Sequence, residues 1–212
     1  MFEVVCFVLM AVLSLFFTNI FKGAKSRRAG NCGESLVKRT LAKYCNNSSA
    51  HVLNNVTLRL GDGSTTQIDH ILISAKGIFV IETKHFSGWI FANANSKMWT
   101  QIIYKVKNTF QNPIFQNYKH VSAIKKLFPT LSASRLIHNI VVFTGDAEFK
   151  TAIPYNVFHL DELVYAIEQY SGRALSLGCI QHCVDRLEKI RLELTRKTDA
   201  ERRAHLRQKF SR

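Results

Sequence analysis

Alternation of apolar and polar positions marks the middle of the chain as rich in strands. Val52, Val56, Leu58 and Leu60 recur on one face of His51–Leu60, the period-two pattern of a half-buried strand. Gly61-Asp62-Gly63 turns the chain, and Thr65–Ser74 and Ile78–His85 read as two strands joined by Ala75-Lys76-Gly77. Ile68, Ile71, Leu72, Ile73, Ile78, Phe79, Val80 and Ile81 make this pair nearly continuous in apolar residues, as in strands covered on both faces. Shorter strands are expected at Trp89–Ala92 and Met98–Val106. Helical spacing appears before this block, where Leu36, Val37, Leu41 and Tyr44 predict a helix over Gly33–Tyr44. It reappears after Asn112-Pro113, which opens a helix to about Phe128 with the stripe Ile114, Tyr118, Val121 and Phe128. Leu136–Thr144 suits a buried strand, Tyr155–Phe158 a short one, Asp161–Tyr170 a helix, and Leu175–Arg196 a last helix that runs into a basic tail. The order helix, three strands, helix, strand predicts an α/β fold: a mixed central sheet flanked by helices.

One segment stands apart. Val4 to Phe21 contains no charged residue, and at roughly 1.5 Å per residue it reaches about 27 Å, enough for a bilayer core. A cleavable signal peptide is the alternative, but the first residues hold Glu3 and no Lys or Arg, and the run ends in bulky residues. Lys22, Lys25, Arg27 and Arg28 follow directly. The positive-inside rule then predicts a single-pass membrane protein whose domain faces the cytoplasm. The expected organisation is an anchor over 1–21, a basic linker over 22–30, a globular domain over 31–160, and helices with a basic tail over 161–212.

Composition narrows the partners. Lys and Arg number 29 against 15 Asp and Glu, a net charge of +14, which favours a polyanion, either nucleic acid or an anionic membrane surface. Five cysteines, odd in number and scattered, fit neither a disulfide framework nor a zinc module. No phosphate-binding Walker loop, nucleophile elbow or dinucleotide fingerprint is present.

Against this background, three charges in the greasiest segment demand a reason. Glu82 and Lys84 stand two apart on one strand and so share a face. With a two-residue turn pairing Ser74 to Gly77, Asp69 faces Glu82 across the pair; a three-residue loop would bring His70 there instead. A salt-bridged lysine on a solvated sheet face is the bland alternative, but the apolar flanks make the hairpin a core element, and charges in a core need partners. Neighbouring carboxylates repel unless a cation lies between them. Mg²⁺ or Mn²⁺ suits that place, since it takes carboxylate oxygens and keeps waters that a phosphate can share. A lysine beside it can orient the attacking water and steady charge developing on a phosphoryl group. Asp69, Glu82 and Lys84 are thus the equipment of a metal-dependent phosphodiesterase.

Several ordered motifs strengthen this reading. Gly33-Glu34-x-x-Val37, Q-I-D-H-I-L-I-S with G-I-F-V-I-E-T-K, S-G-W-I, W-T-Q and N-P-I-F-Q-N at Asn112–Asn117 resemble the nuclease-related domain, NERD, from about Asn31 to Gly145. That family lies in the PD-(D/E)xK nuclease superfamily, so the resemblance implies a restriction-endonuclease-like αβββαβ core. It implies that Asp69 and Glu82 bind the metal, that Glu34 on the first helix completes the site as a further metal-binding acid, that Lys84 is the catalytic lysine, and that Gln116 is the helix glutamine near the centre. Ile68 stands where the superfamily name has proline.

Other residues carry less. Gln67 and His85 flank the three charges; His85 reads as a ligand or proton carrier, or simply a neighbour. His70, His120 and His138 lack zinc spacing and read as structural. Gln116 and His120, one turn apart, face either a shared groove or solvent. Trp89 and Trp99 offer base stacking or, more simply, core packing. The expectation is a membrane-anchored, metal-dependent nuclease acting on DNA without sequence readout. The alternative is a non-catalytic nucleic-acid-binding or membrane-associated scaffold on the same fold.

Overall fold

A computed structural model describes residues 30–171 and 175–192. The expected membrane segment 4–21, most of the basic linker and the tail beyond 192 lie outside the described residues. Among the described residues, no helix is long and apolar enough to cross a membrane. Helix α1 (residues 30–46) precedes β1 (His51–Arg59), β2 (Thr65–Ser74) and β3 (Gly77–His85). Strands β4 (Gly88–Phe91), β5 (Met98–Ile103) and β6 (Val106–Gln111) lead to α2 (Pro113–Leu127) and the short α3 (Pro129–Ala133). Then come β7 (Ile137–Thr144), β8 (Ala147–Phe149), β9 (Val157–His159), a 3₁₀ turn at Leu160–Glu162, α4 (Leu163–Gln169) and α5 (Leu177–Ile190).

The expected mixed sheet is present. Among the described residues its order is β1-β2-β3-β7-β9, antiparallel as far as β3 and parallel from β3 to β9. Helices cover both faces. Ile71, Ile73, Ile78 and Val80 pack with Val121 and Ile124 of α2 and with Ile180 and Leu187 of α5. Leu72, Phe79 and Ile81 pack instead with Val37 and Leu41 of α1 and with Leu163 and Ile167 of α4. β3 is buried on both sides from Gly77 to Glu82, which explains its unbroken apolar run.

Three local expectations are corrected. The strand expected over Met98–Val106 is a hairpin, because Tyr104 takes φ of 53° and reverses the chain into β6. A second sheet, β6-β5-β4-β8, results. In β1, Asn55 also takes a left-handed φ, of 53°, a conformation asparagine tolerates. It switches the alternation, so Val52 packs on the α1 side while Val56 and Leu58 enter the α2–α5 core. In α2, Tyr118 of the expected stripe is exposed, and the buried face is Asn117, His120, Val121 and Ile124.

Candidate active site

The hairpin turns at Ala75-Lys76, pairing Ser74 with Gly77 and His70 with Ile81. Continuing that register sets Asp69 across from Glu82, as the two-residue turn predicts. Asp69 lies at the point where Asn55 disturbs the neighbouring strand, since Asn54 pairs with His70 and Val56 with Ile68. Its carboxylate turns sideways and accepts a hydrogen bond from the Thr83 amide at 2.9 Å. On the same strand as Glu82, the Lys84 ammonium donates to Glu82 Oε1 at 2.5 Å. Glu82 is buried, whereas Lys84 keeps a window to solvent with 17% of its side chain exposed.

Helix α2 completes the cluster because its first turn is pinned. Asn112, fully buried, accepts from the Ile114 amide at 2.9 Å, and its Nδ2 donates to the Ser96 carbonyl at 2.8 Å. Gln116, one turn on, bridges the ion pair: Oε1 accepts from Lys84 at 3.0 Å and Nε2 donates to Glu82 Oε1 at 2.7 Å. Asn117 holds the helix to the parallel strands, with Nδ2 2.8 Å from the Val80 carbonyl and 3.0 Å from that of Ile140. Another turn on, His120 Nδ1 bonds the Thr66 hydroxyl at 2.7 Å, and its Nε2 stands 3.5 Å from Glu82 Oε2. That separation is too long and poorly aligned for a full hydrogen bond, yet close enough for the imidazole to act on the carboxylate.

Glu34 arrives by a different route. A Cβ on Gly33 would lie 2.6 Å from Thr144 Oγ1 and 2.7 Å from His85 Cβ, so glycine lets α1 press against the ends of β3 and β7. The next residue, Glu34, then comes near enough to disfavour the Asp69 charge. Burial, followed by the Glu82 charge, pushes the Asp69 carboxyl up to about 8, against the opposing pull of the Thr83 amide. Burial would raise Glu82 too, but His120 and Lys84 overcome it and hold that carboxyl below its ordinary value. Environment thus separates the two acids: Glu82 keeps its charge, and Asp69 gives its own up easily.

Among the described residues, no three His, Cys, Asp or Glu side chains stand together closely enough to hold a metal ion. The cluster therefore offers a divalent ion the facing pair Asp69 and Glu82, with Glu34 nearby rather than in a three-carboxylate cage. An all-oxygen set of one or two carboxylates is what Mg²⁺ accepts while retaining waters.

The remaining candidates divide. Gln116 and His120 both turn inward to Glu82 rather than to solvent, Gln116 Nε2 lying 2.7 Å from Oε1 and His120 Nε2 3.5 Å from Oε2. His85 turns to the α1 side and meets Thr144 Oγ1 at 3.0 Å. His70 bonds Asn54 at 2.7 Å and is driven down to about 4, chiefly by burial. His138 lies against Phe79 and Tyr170. Trp99 is buried at 1% exposure, whereas Trp89 is 48% exposed. Asn117 and Thr66 are site components that the residue pattern did not single out, whereas the structural reading of His120 holds. Their signal was present: residues 117, 120, 121 and 124 carry helical spacing, with polar members in an inward stripe.

Comparison with known proteins identifies a family. The family model described as "Nuclease-related domain" (NERD) matches residues 29–144. An uncharacterized protein of Bacillus anthracis is 37% identical over 185 residues, covering 85% of each chain. No solved structure matches.

Proposed function

The chain belongs to the nuclease-related domain family, in the PD-(D/E)xK-like nuclease superfamily, and from that premise we propose a metal-dependent nuclease that hydrolyses phosphodiester bonds in DNA on a restriction-endonuclease-like core. The observation that carries the reading is the buried carboxylate Glu82 held by both Lys84 and Gln116, with Asp69 in register beside it. A structural salt bridge has no use for a second, repelled carboxylate, and Asp69 remains costly to ionise even with the Lys84 ammonium acting on it.

Asp69 and Glu82 would hold Mg²⁺ or Mn²⁺, with Glu34 acting on Asp69 from α1; bound there, the ion supplies Lewis-acid polarisation of a phosphoryl oxygen and a more acidic water. Lys84 has three N–H donors, and Glu82 and Gln116 engage two of them. The third can meet a non-bridging phosphate oxygen and steady the charge that grows there as water attacks phosphorus and the sugar oxygen leaves. Gln116 keeps the ammonium aimed, so orientation is set before substrate arrives. The positive charge of the chain tracks phosphates without reading bases.

The charge-free run 4–21 and the basic residues after it support an anchor with the domain on the cytoplasmic side. The test is cleavage of plasmid DNA by the full chain in mild detergent, with and without Mg²⁺ or Mn²⁺, beside Asp69→Asn, Glu82→Gln and Lys84→Ala. Metal-dependent cutting lost in all three variants is expected. DNA binding without any cutting by the wild type would establish the scaffold alternative instead.

A further inference from the structure

Three strands of the smaller sheet, β4, β5 and β6, lie in the chain between the strand that carries Lys84 and the helix that carries Gln116. The sheet's inner face is core, with Ile90 and Trp99 packed on Phe143. Its outer face stays open among the described residues. Trp89 there is 48% exposed and Met98 51%. Trp89 pairs with Ile102, and Ile102 with Lys107, which sets an indole, an apolar side chain and an ammonium in one row across β4, β5 and β6. On the other side Trp89 pairs with Glu148, whose carboxylate takes the Lys150 ammonium, and Lys150 Nζ lies 4.9 Å from the Trp89 ring centroid.

Outside β8, where Glu148 lies, the charge of this sheet is one-sided. From Thr83 to Gly145 the sequence holds eight Lys and Arg and no Asp or Glu, a stretch that includes β4, β5, β6 and α2. An exposed aromatic among lysines and apolar side chains marks an interaction surface, and its charge complements a polyanion. Stacking on a flat indole suits any base but requires that the base be unpaired.

Resting on the nuclease reading for its substrate, we propose that the outer face of the smaller sheet is a platform for an unpaired stretch of nucleic-acid strand, with Trp89 stacking on a base and Lys107 and Lys150 meeting the flanking phosphates. In the free protein Lys150 shields one face of the indole. An exposed cation–π contact is weaker than base stacking, so an incoming base takes the ring face and the ammonium moves to phosphate. Access to an unpaired strand, and not base identity, becomes the basis of substrate choice.

The test uses the full chain in detergent with EDTA, so that binding is read without cleavage. Oligo(dT) is expected to quench tryptophan emission; Trp89→Ala should abolish the quench and weaken oligo(dT) binding roughly tenfold, with blunt duplex binding little changed. Trp89→Phe should retain most of the affinity. Unchanged circular dichroism and melting of Trp89→Ala separate loss of stacking from loss of fold. The proposal is overturned by equal oligo(dT) affinity in Trp89→Ala. It is overturned equally if anionic vesicles quench Trp89 while oligo(dT) does not, or if Trp89→Ala alters only the oligomeric state. Glu82→Gln separates the two readings: it should lose cutting yet keep the quench. A wild type that quenches with oligo(dT) but never cuts with Mg²⁺ or Mn²⁺ sinks the nuclease reading and leaves the platform standing.

Discussion

The chain contains the same short pattern twice, Glu82-Thr83-Lys84 on β3 and Glu148-Phe149-Lys150 at the end of β8, and in both the lysine pairs with the glutamate two residues before it. Everything else differs. The β3 pair is 3% and 17% exposed and is joined by Gln116, with His120 close by. The β8 pair is 60% and 34% exposed and rests against an indole. Spacing puts two side chains on one face of a strand; it does not decide what they do. Burial decides, because a carboxylate removed from water must be held by donors, and those donors fix its geometry for chemistry. The exposed pair is screened, loosely held, and free to exchange partners.

The largest expected effect comes from removing the buried ammonium. Lys84→Ala should lower DNA cutting by about 10³-fold, since the positioned charge beside the phosphate is lost. It should also cost about 3 kcal/mol of stability, because Glu82 keeps a buried charge with fewer donors. Urea titrations read the second number. Lys150→Ala, measured the same way, should cost about 0.5 kcal/mol or less. Equal costs for the two lysines would mean that burial is not what distinguishes the pairs.

Gln116→Ala gives the next largest change. It leaves both charges in place and removes the bridge between them, so cutting should fall by about 10- to 100-fold through lost orientation. Stability should drop by about 1–2 kcal/mol, the value of two hydrogen bonds to charged groups less the water that replaces them. Gln116→Glu makes a sharper comparison: it keeps the bond from Lys84 but sets a carboxylate against Glu82 Oε1, and it should cut less well than Gln116→Ala.

These contrasts also show where the sequence was informative. The two-residue turn after Ser74 set the hairpin register, and strand geometry then fixed Asp69, Glu82 and Lys84 relative to one another. The core order of helix, three strands, helix and strand followed from periodicity together with the turn residues between the elements. What escaped was anything that inverts the usual meaning of polarity. Asn117 and His120 occupy inward positions of α2 and look like a solvent face to any hydrophobic count, while Tyr118 looks like core and is exposed. Asn55 escaped because one left-handed residue moves every later side chain to the opposite face, and no local pattern announces it. The smaller sheet was only half legible, since its strands are short and β6 is exposed along nearly its whole length.

Asp69 supplies a smaller effect with a definite sign. Its carboxyl is raised from 3.8 to about 8 in the folded chain, so between those values the folded state binds the proton that the unfolded state has released. Stability from this group must therefore fall as pH rises from about 4 to about 8 and level off above. Glu82 is shifted the opposite way, and its contribution is lost only as pH falls through the acid range. A melting series without metal should show Tm falling by about 5 °C from pH 5.5 to 8.5. Asp69→Asn should flatten that slope. Mg²⁺ should raise Tm more at pH 8.5 than at pH 5.5, because an ion binds the carboxylate and not the acid. A slope unchanged in Asp69→Asn would mean that another group carries it.

The exposed pair provides the smallest effect, which is best read through salt. Glu148→Gln breaks an ion pair that water and counterions already weaken, and Lys150 retains the Trp89 ring as a neighbour. The expected loss is about 0.5 kcal/mol at low ionic strength, a shift in Tm of about 1–2 °C, vanishing near 1 M salt where the Debye length is about 3 Å. Glu82→Gln should behave differently in the same titration. Its neighbours are fixed by protein, not by the ionic atmosphere, so whatever change in Tm it causes should persist at high salt. If the two salt curves coincide, the buried pair is being screened as though it were on the surface, and the surroundings of Lys84 must be far wetter than its 17% exposure implies.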